Sequence, residues 1–65
     1  MKITLNGVER EIMEGSLDQA LRELGYFDGA IATAVNGEFI PKTRRLNIVL
    51  DEGDRVEVVA PMQGG

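Results

Sequence analysis

Two Asn-Gly pairs, Asn6-Gly7 and Asn36-Gly37, each stand between short runs that alternate apolar and polar residues, and they constrain the fold more than any other feature of the chain. A two-residue hairpin turn of type I′ needs positive φ at both central positions, which Asn and Gly adopt at least cost. Met1-Lys2-Ile3-Thr4-Leu5 and Val8-Glu9-Arg10-Glu11-Ile12 flank the first pair. With so short a loop Leu5 faces Val8, Ile3 faces Arg10 and Met1 faces Ile12. One face is then apolar except for Arg10, which must snorkel or be turned outward by a bulge. The second pair joins Ala30-Ile31-Ala32-Thr33-Ala34-Val35 to Glu38-Phe39-Ile40, a short return strand that Pro41 stops or places at an edge. The alanines are expected to mark a face that another element approaches closely.

Between the hairpins lies one helix. Ser16-Leu17-Asp18-Gln19 has the form of a capping box, with Ser16 as N-cap and Gln19 reaching back, and Gly25 suits the position just past the C-cap. Leu17, Ala20, Leu21 and Leu24 fall on one stripe, opposite Asp18, Gln19, Arg22 and Glu23. That stripe is expected to be core. Tyr26-Phe27-Asp28-Gly29 reads as a loop, a lid over the end of the core or a docking surface. Lys42 to Arg45 holds three of the seven basic residues and reads as a solvated turn in preference to an anion or partner site. Leu46 to Leu50 is a short apolar segment without a clear class. Asp51-Glu52-Gly53-Asp54 is a tight acidic turn lacking the alternating oxygen ligands of a calcium loop. Arg55 to Ala60 is a strand with Val56 and Val58 on one face.

This order predicts an α+β domain, a mixed sheet of four to five strands with one main helix packed across one face. A crossover helix after the first hairpin favours a parallel neighbour for a later strand. If the last strand lies beside the first, its end emerges from the middle of the sheet. Residues 1–60 would then form one domain and 61–65 a flexible tail.

Composition narrows the chemistry. The 65 residues include neither Cys nor His, so the usual nucleophile–base pairs and the imidazole or thiolate metal sites cannot be built. A formal charge of −4 argues against a phosphate-backbone binder, hence no nucleic acid. No apolar run approaches a membrane span and no signal peptide opens the sequence, so the expected location is the cytoplasm. What remains is Pro61-Met62-Gln63-Gly64-Gly65, where an apolar strand gives way to residues without side chains. A glycine pair at this place reads either as frayed chain or as a narrow stalk that carries the α-carboxylate of Gly65 into a partner's channel.

Taken together, Lys2 to Gly7, Ala34 to Glu38 with Ile40-Pro41-Lys42, Glu52 to Val59, and Met62-Gln63-Gly64-Gly65 resemble the ThiS-type sulfur carriers of thiamin biosynthesis, within the β-grasp, ubiquitin-like fold. The resemblance implies that Gly65 is the covalent site, adenylated with ATP by a ThiF-like adenylyltransferase and converted to a thiocarboxylate. Met62, Gln63 and Gly64 would thread into the partner. Sulfur would come from a cysteine desulfurase or another donor and pass to a ThiG-like thiazole synthase. The chain would be a co-substrate, not an enzyme, with no bound cofactor or metal, and monomeric when free. Val59 and Phe39 are candidates for docking partners through the sheet face opposite the helix. Glu52-Gly53-Asp54, in place of an Asp-Gly-Asp turn, and the basic Lys42 to Arg45 segment depart from the pattern and bear on partner choice. A MoaD-type carrier for molybdopterin, another thiocarboxylate donor, a ubiquitin-like modifier and a noncovalent interaction module are the alternatives.

Overall fold

Both Asn-Gly pairs form the expected turns, with φ of 51° and 84° at Asn6 and Gly7 and of 52° and 85° at Asn36 and Gly37. The computed structural model describes residues 1–13, 15–26 and 30–60. In chain order it contains β1 (Lys2–Leu5), β2 (Val8–Glu11), α1 (Leu17–Glu23), β3 (Ala32–Val35), β4 (Glu38–Ile40), a 3-10 helix (Lys42–Asn47) and β5 (Arg55–Val59). The five strands form one sheet in the order β2-β1-β5-β3-β4. β5 runs parallel to β1 and antiparallel to β3, so the last strand is the central one. The expected flexible segment 61–65 lies outside the described residues, as do Glu14 and the Phe27-Asp28-Gly29 part of the expected lid loop. Tyr26, its first residue, is partly buried and packs against the core.

The short helix α1 is fixed at both ends by side-chain and backbone caps. Gln19 N–H donates to Ser16 Oγ (3.2 Å) and Ser16 N–H to Gln19 Oε1 (3.0 Å), the reciprocal pair of a capping box. At the other end Gly25, at φ 103°, lets Tyr26 N–H reach the Leu21 carbonyl while its own N–H meets Arg22. This is a Schellman motif, and a Cβ at that φ would strain it. Leu17, Ala20 and Leu21 are buried against Ile3 and Leu5 of β1 and Val56 and Val58 of β5, whose side chains all project to the helix side. Ser16 also bridges Val49: Leu17 N–H donates to the Ile48 carbonyl (2.7 Å) and Leu50 N–H to that of Gly15 (3.2 Å). The Leu46 to Leu50 segment thus ends the 3-10 helix and ties the helix start to the rest of the chain.

Three sequence expectations are corrected. Arg10 pairs with Ile3 in an unbroken register, without a bulge, and is simply exposed. β2 is an edge strand that contributes nothing to the core, so the helix-side face is open to water there and neither snorkelling nor a kink is required. Second, β3 begins at Ala32 and not at Ala30, and its buried residue is Thr33, whereas Ala32 and Ala34 lie on the face away from the helix. Among the described residues no element of this chain covers them. Third, the Lys42 to Arg45 segment is not a fully solvated turn. Arg45 is only 8% exposed while its neighbour Leu46 is 68% exposed, the reverse of their polarity.

Candidate functional site

The arrangement that bears on function is the C-terminal end of β5, where the described chain leaves the sheet. In the register Ala32↔Val59 and Thr33↔Val58, the end of β5 is held along β3. Val58 points into the core and Val59 to the open face, 62% exposed. Phe39, 64% exposed, lies on the same open face, because it pairs with Ala34, which in turn pairs with Glu57. The structure therefore brings Val59 and Phe39 onto one face, on either side of β3, with Ala32 and Ala34 between them.

The small alanine side chains leave a hollow of 170 Å³ lined by Ala32, Thr33, Ala34, Phe39, Glu57 and Val59. A second hollow of 310 Å³, lined by Ala30, Ile31, Ala32 and Val59, adjoins it beside the chain's departure from β5. The rest of the open face, towards β1 and β2, is polar: Thr4 pairs with Arg55 and with Glu9, and Lys2 with Glu11. An exposed apolar patch beside a polar field is the usual form of a protein-binding surface. Met62, Gln63, Gly64 and Gly65 lie outside the described residues. Among the described residues no group of His, Cys, Asp and Glu is arranged to hold a metal ion. No helix of the described residues is long and apolar enough to cross a membrane.

Arg45 holds the β3 side of this region from beneath. Its Nε–H donates to Thr33 Oγ1 (3.2 Å) and its Nη2–H to the Ile31 carbonyl (2.8 Å), while Thr33 Oγ1–H donates to the Ile40 carbonyl (2.9 Å). The position must supply donors to a buried hydroxyl and a carbonyl, which Leu46 could not do; that is why the charged residue is inside. A Thr in a strand followed twelve residues on by Arg carries no spacing signal, so sequence reading had no means of finding the pair. Arg45→Met keeps the stem and removes the donors, and is expected to destabilise the fold by about 2–3 kcal/mol in urea unfolding. Thr33→Val combined with Arg45→Met should then cost less than the sum of the two, as for any pair in contact.

A thiazole synthase from Paramagnetospirillum magneticum (strain AMB-1) is 33% identical over 66 aligned positions that cover all of this chain. The chain spans only 20% of that protein's length. The crystal structure of thiamine biosynthesis protein ThiS from Geobacter metallireducens superposes with a TM-score of 0.85, covering the whole of both chains at 23% identity. A solution structure of a thiamine biosynthesis protein from the same organism gives 0.82 over all of this chain and 88% of that one, also at 23% identity. These likenesses establish a common fold, the β-grasp. The ThiS family model matches residues 3–65, and with nearly its whole length matched the chain belongs to the ThiS family of sulfur carriers.

Proposed function

We propose that this chain carries sulfur in thiamin biosynthesis as a thiocarboxylate on Gly65. The observation that carries the reading is that the ThiS family match runs through Gly64-Gly65. A carboxylate is a poor acceptor until one oxygen becomes part of a good leaving group. In the proposed first step a Gly65 carboxylate oxygen attacks the α-phosphorus of ATP on a ThiF-like adenylyltransferase, and pyrophosphate leaves. A persulfide, formed from cysteine by a desulfurase, then attacks the acyl carbon and AMP leaves. Cleavage of the resulting acyl disulfide by a thiol frees the thiocarboxylate. A ThiG-like thiazole synthase is the proposed acceptor.

The chain's own part is recognition and presentation. Having neither Cys nor His, it holds no thiol or imidazole to intercept the acyl-adenylate, so sulfur must arrive from a partner. The apolar half of the open face, with Val59 and Phe39, is the proposed docking surface, and Met62, Gln63 and Gly64 are the proposed threading residues. The test is to incubate the protein with the adenylating partner, ATP and a sulfur source and to read the intact mass. The expected product has one oxygen replaced by sulfur at Gly65. Isopeptide adducts on lysines, or an unchanged mass, would reject the reading; rescue of a deletion strain by molybdopterin precursor and not by thiazole would move the carrier to the other pathway.

A further inference from the structure

Asn6 forms the first half of a turn, and its side chain has a second engagement. The parallel ladder between β1 and β5 proceeds through Thr4 N–H to the Asp54 carbonyl (3.0 Å) and Asn6 N–H to the Val56 carbonyl (2.9 Å). The next rung would need the Asn6 backbone carbonyl and the N–H two residues on in line with β1, but at Asn6 the main chain turns away at positive φ. The Asn6 carboxamide takes their place. Val58 N–H donates to Asn6 Oδ1 (2.8 Å) and Asn6 Nδ2–H donates to the Val58 carbonyl (3.1 Å). A carboxamide is chemically a peptide group, so one side chain completes both bonds of the missing rung. Aspartate could accept but not donate, and the Val58 carbonyl would face a carboxylate.

Val58 is the last buried residue of β5, two positions before Ala60, the last residue described. Its backbone groups face β1, where the strand itself has ended. We infer that Asn6 is a positioning residue for the chemistry at Gly65: by locking Val58 on the β1 side it fixes the point and heading from which residues 61–65 reach the activating partner. The inference rests on the carrier reading above. The other turn asparagine provides an internal control. Asn36 Oδ1 accepts from Arg55 N–H (3.0 Å) at the opposite end of β5, so it steadies the strand without touching its exit.

Asn6→Gly keeps a residue at ease with positive φ and removes only the clamp; Asn36→Gly does the same at the far end. ATP–pyrophosphate exchange with the ThiF-like partner is to be measured for the wild type and both variants, together with amide exchange at Val58. Asn6→Gly should speed exchange of the Val58 amide and lower kcat about tenfold with KM for the carrier little changed, because docking survives while the carboxylate is misdirected. Asn36→Gly should leave kcat near wild type. A charged wild type with Asn6→Gly turning over equally fast, or with both variants slowed alike, overturns the inference alone. A wild type that supports no exchange at all overturns the carrier reading and the inference with it.

Discussion

Deletion of Gly65 is expected to abolish charging while leaving the fold intact. The buried residues of the described chain all lie between Ile3 and Val58, and β5 ends at Val59, so every described residue that stabilises the sheet is retained in the deletion. Thermal unfolding should therefore be unchanged. The carboxylate, however, would move back onto Gly64, a retreat of about 3.5 Å along an extended chain. In-line attack on a phosphorus tolerates little misplacement, and an error of even ~1 Å can cost about a hundredfold in rate. Pyrophosphate exchange and the mass shift should both disappear. A truncated protein that took up sulfur at the wild-type rate would show that Gly65 is not the site.

Leu17→Ala is expected to bring the domain close to unfolding. Leu17 is 0% exposed, the first residue of α1, wedged where the helix start meets the Ile48 carbonyl. Truncating a fully buried leucine costs about 3–5 kcal/mol when the cavity cannot collapse, and the capping box and the Ser16–Val49 bridge on either side leave little freedom for collapse. At roughly 0.05–0.15 kcal/mol per residue, a chain of 65 residues holds about 3–10 kcal/mol in total. The loss should lower the melting temperature by more than about 15 °C. Val8→Ala is the contrast: Val8 is apolar too but 61% exposed on edge strand β2, so the change should stay within about 0.5 kcal/mol. Equal losses at the two positions would mean that the sheet's edge is packed after all.

Local chemistry made most of the fold legible. Asn-Gly turns, the Ser16/Gln19 box and Gly25 each impose a particular backbone geometry on their immediate neighbours, and each is found as expected. The crossover rule favoured a parallel neighbour for a later strand; that this strand is β5, at the centre of the sheet, is found in the structure. Which residues are inside was less legible wherever the decision is made by distant chain. Val8 satisfies the alternation, yet among the described residues no element covers β2. Ala32 and Ala34 suggested close packing, yet it is Thr33 between them that is buried, because its hydroxyl has Arg45 to receive from and Ile40 to donate to. For the candidate site, Val59 and Phe39 could be named from their exposed apolar character in a sheet, but their shared face depends on the register of β3 with both neighbours. The second use of Asn6 was hidden because the turn signal already accounted for the residue.

The parallel pairing of β1 with β5 has a mechanical consequence. Lys2 starts one strand and Val59 ends the other, so tension between them pulls two parallel neighbours past each other along their length. Their hydrogen bonds, including the pair supplied by Asn6, lie across that direction and are loaded together in shear, where a hairpin pulled at its open end would unzip one bond at a time. A partner that draws on the chain beyond Ala60 while gripping the domain near its N-terminal strand thus pulls against the sheet's most resistant axis, and the load is borne by the fold as a whole.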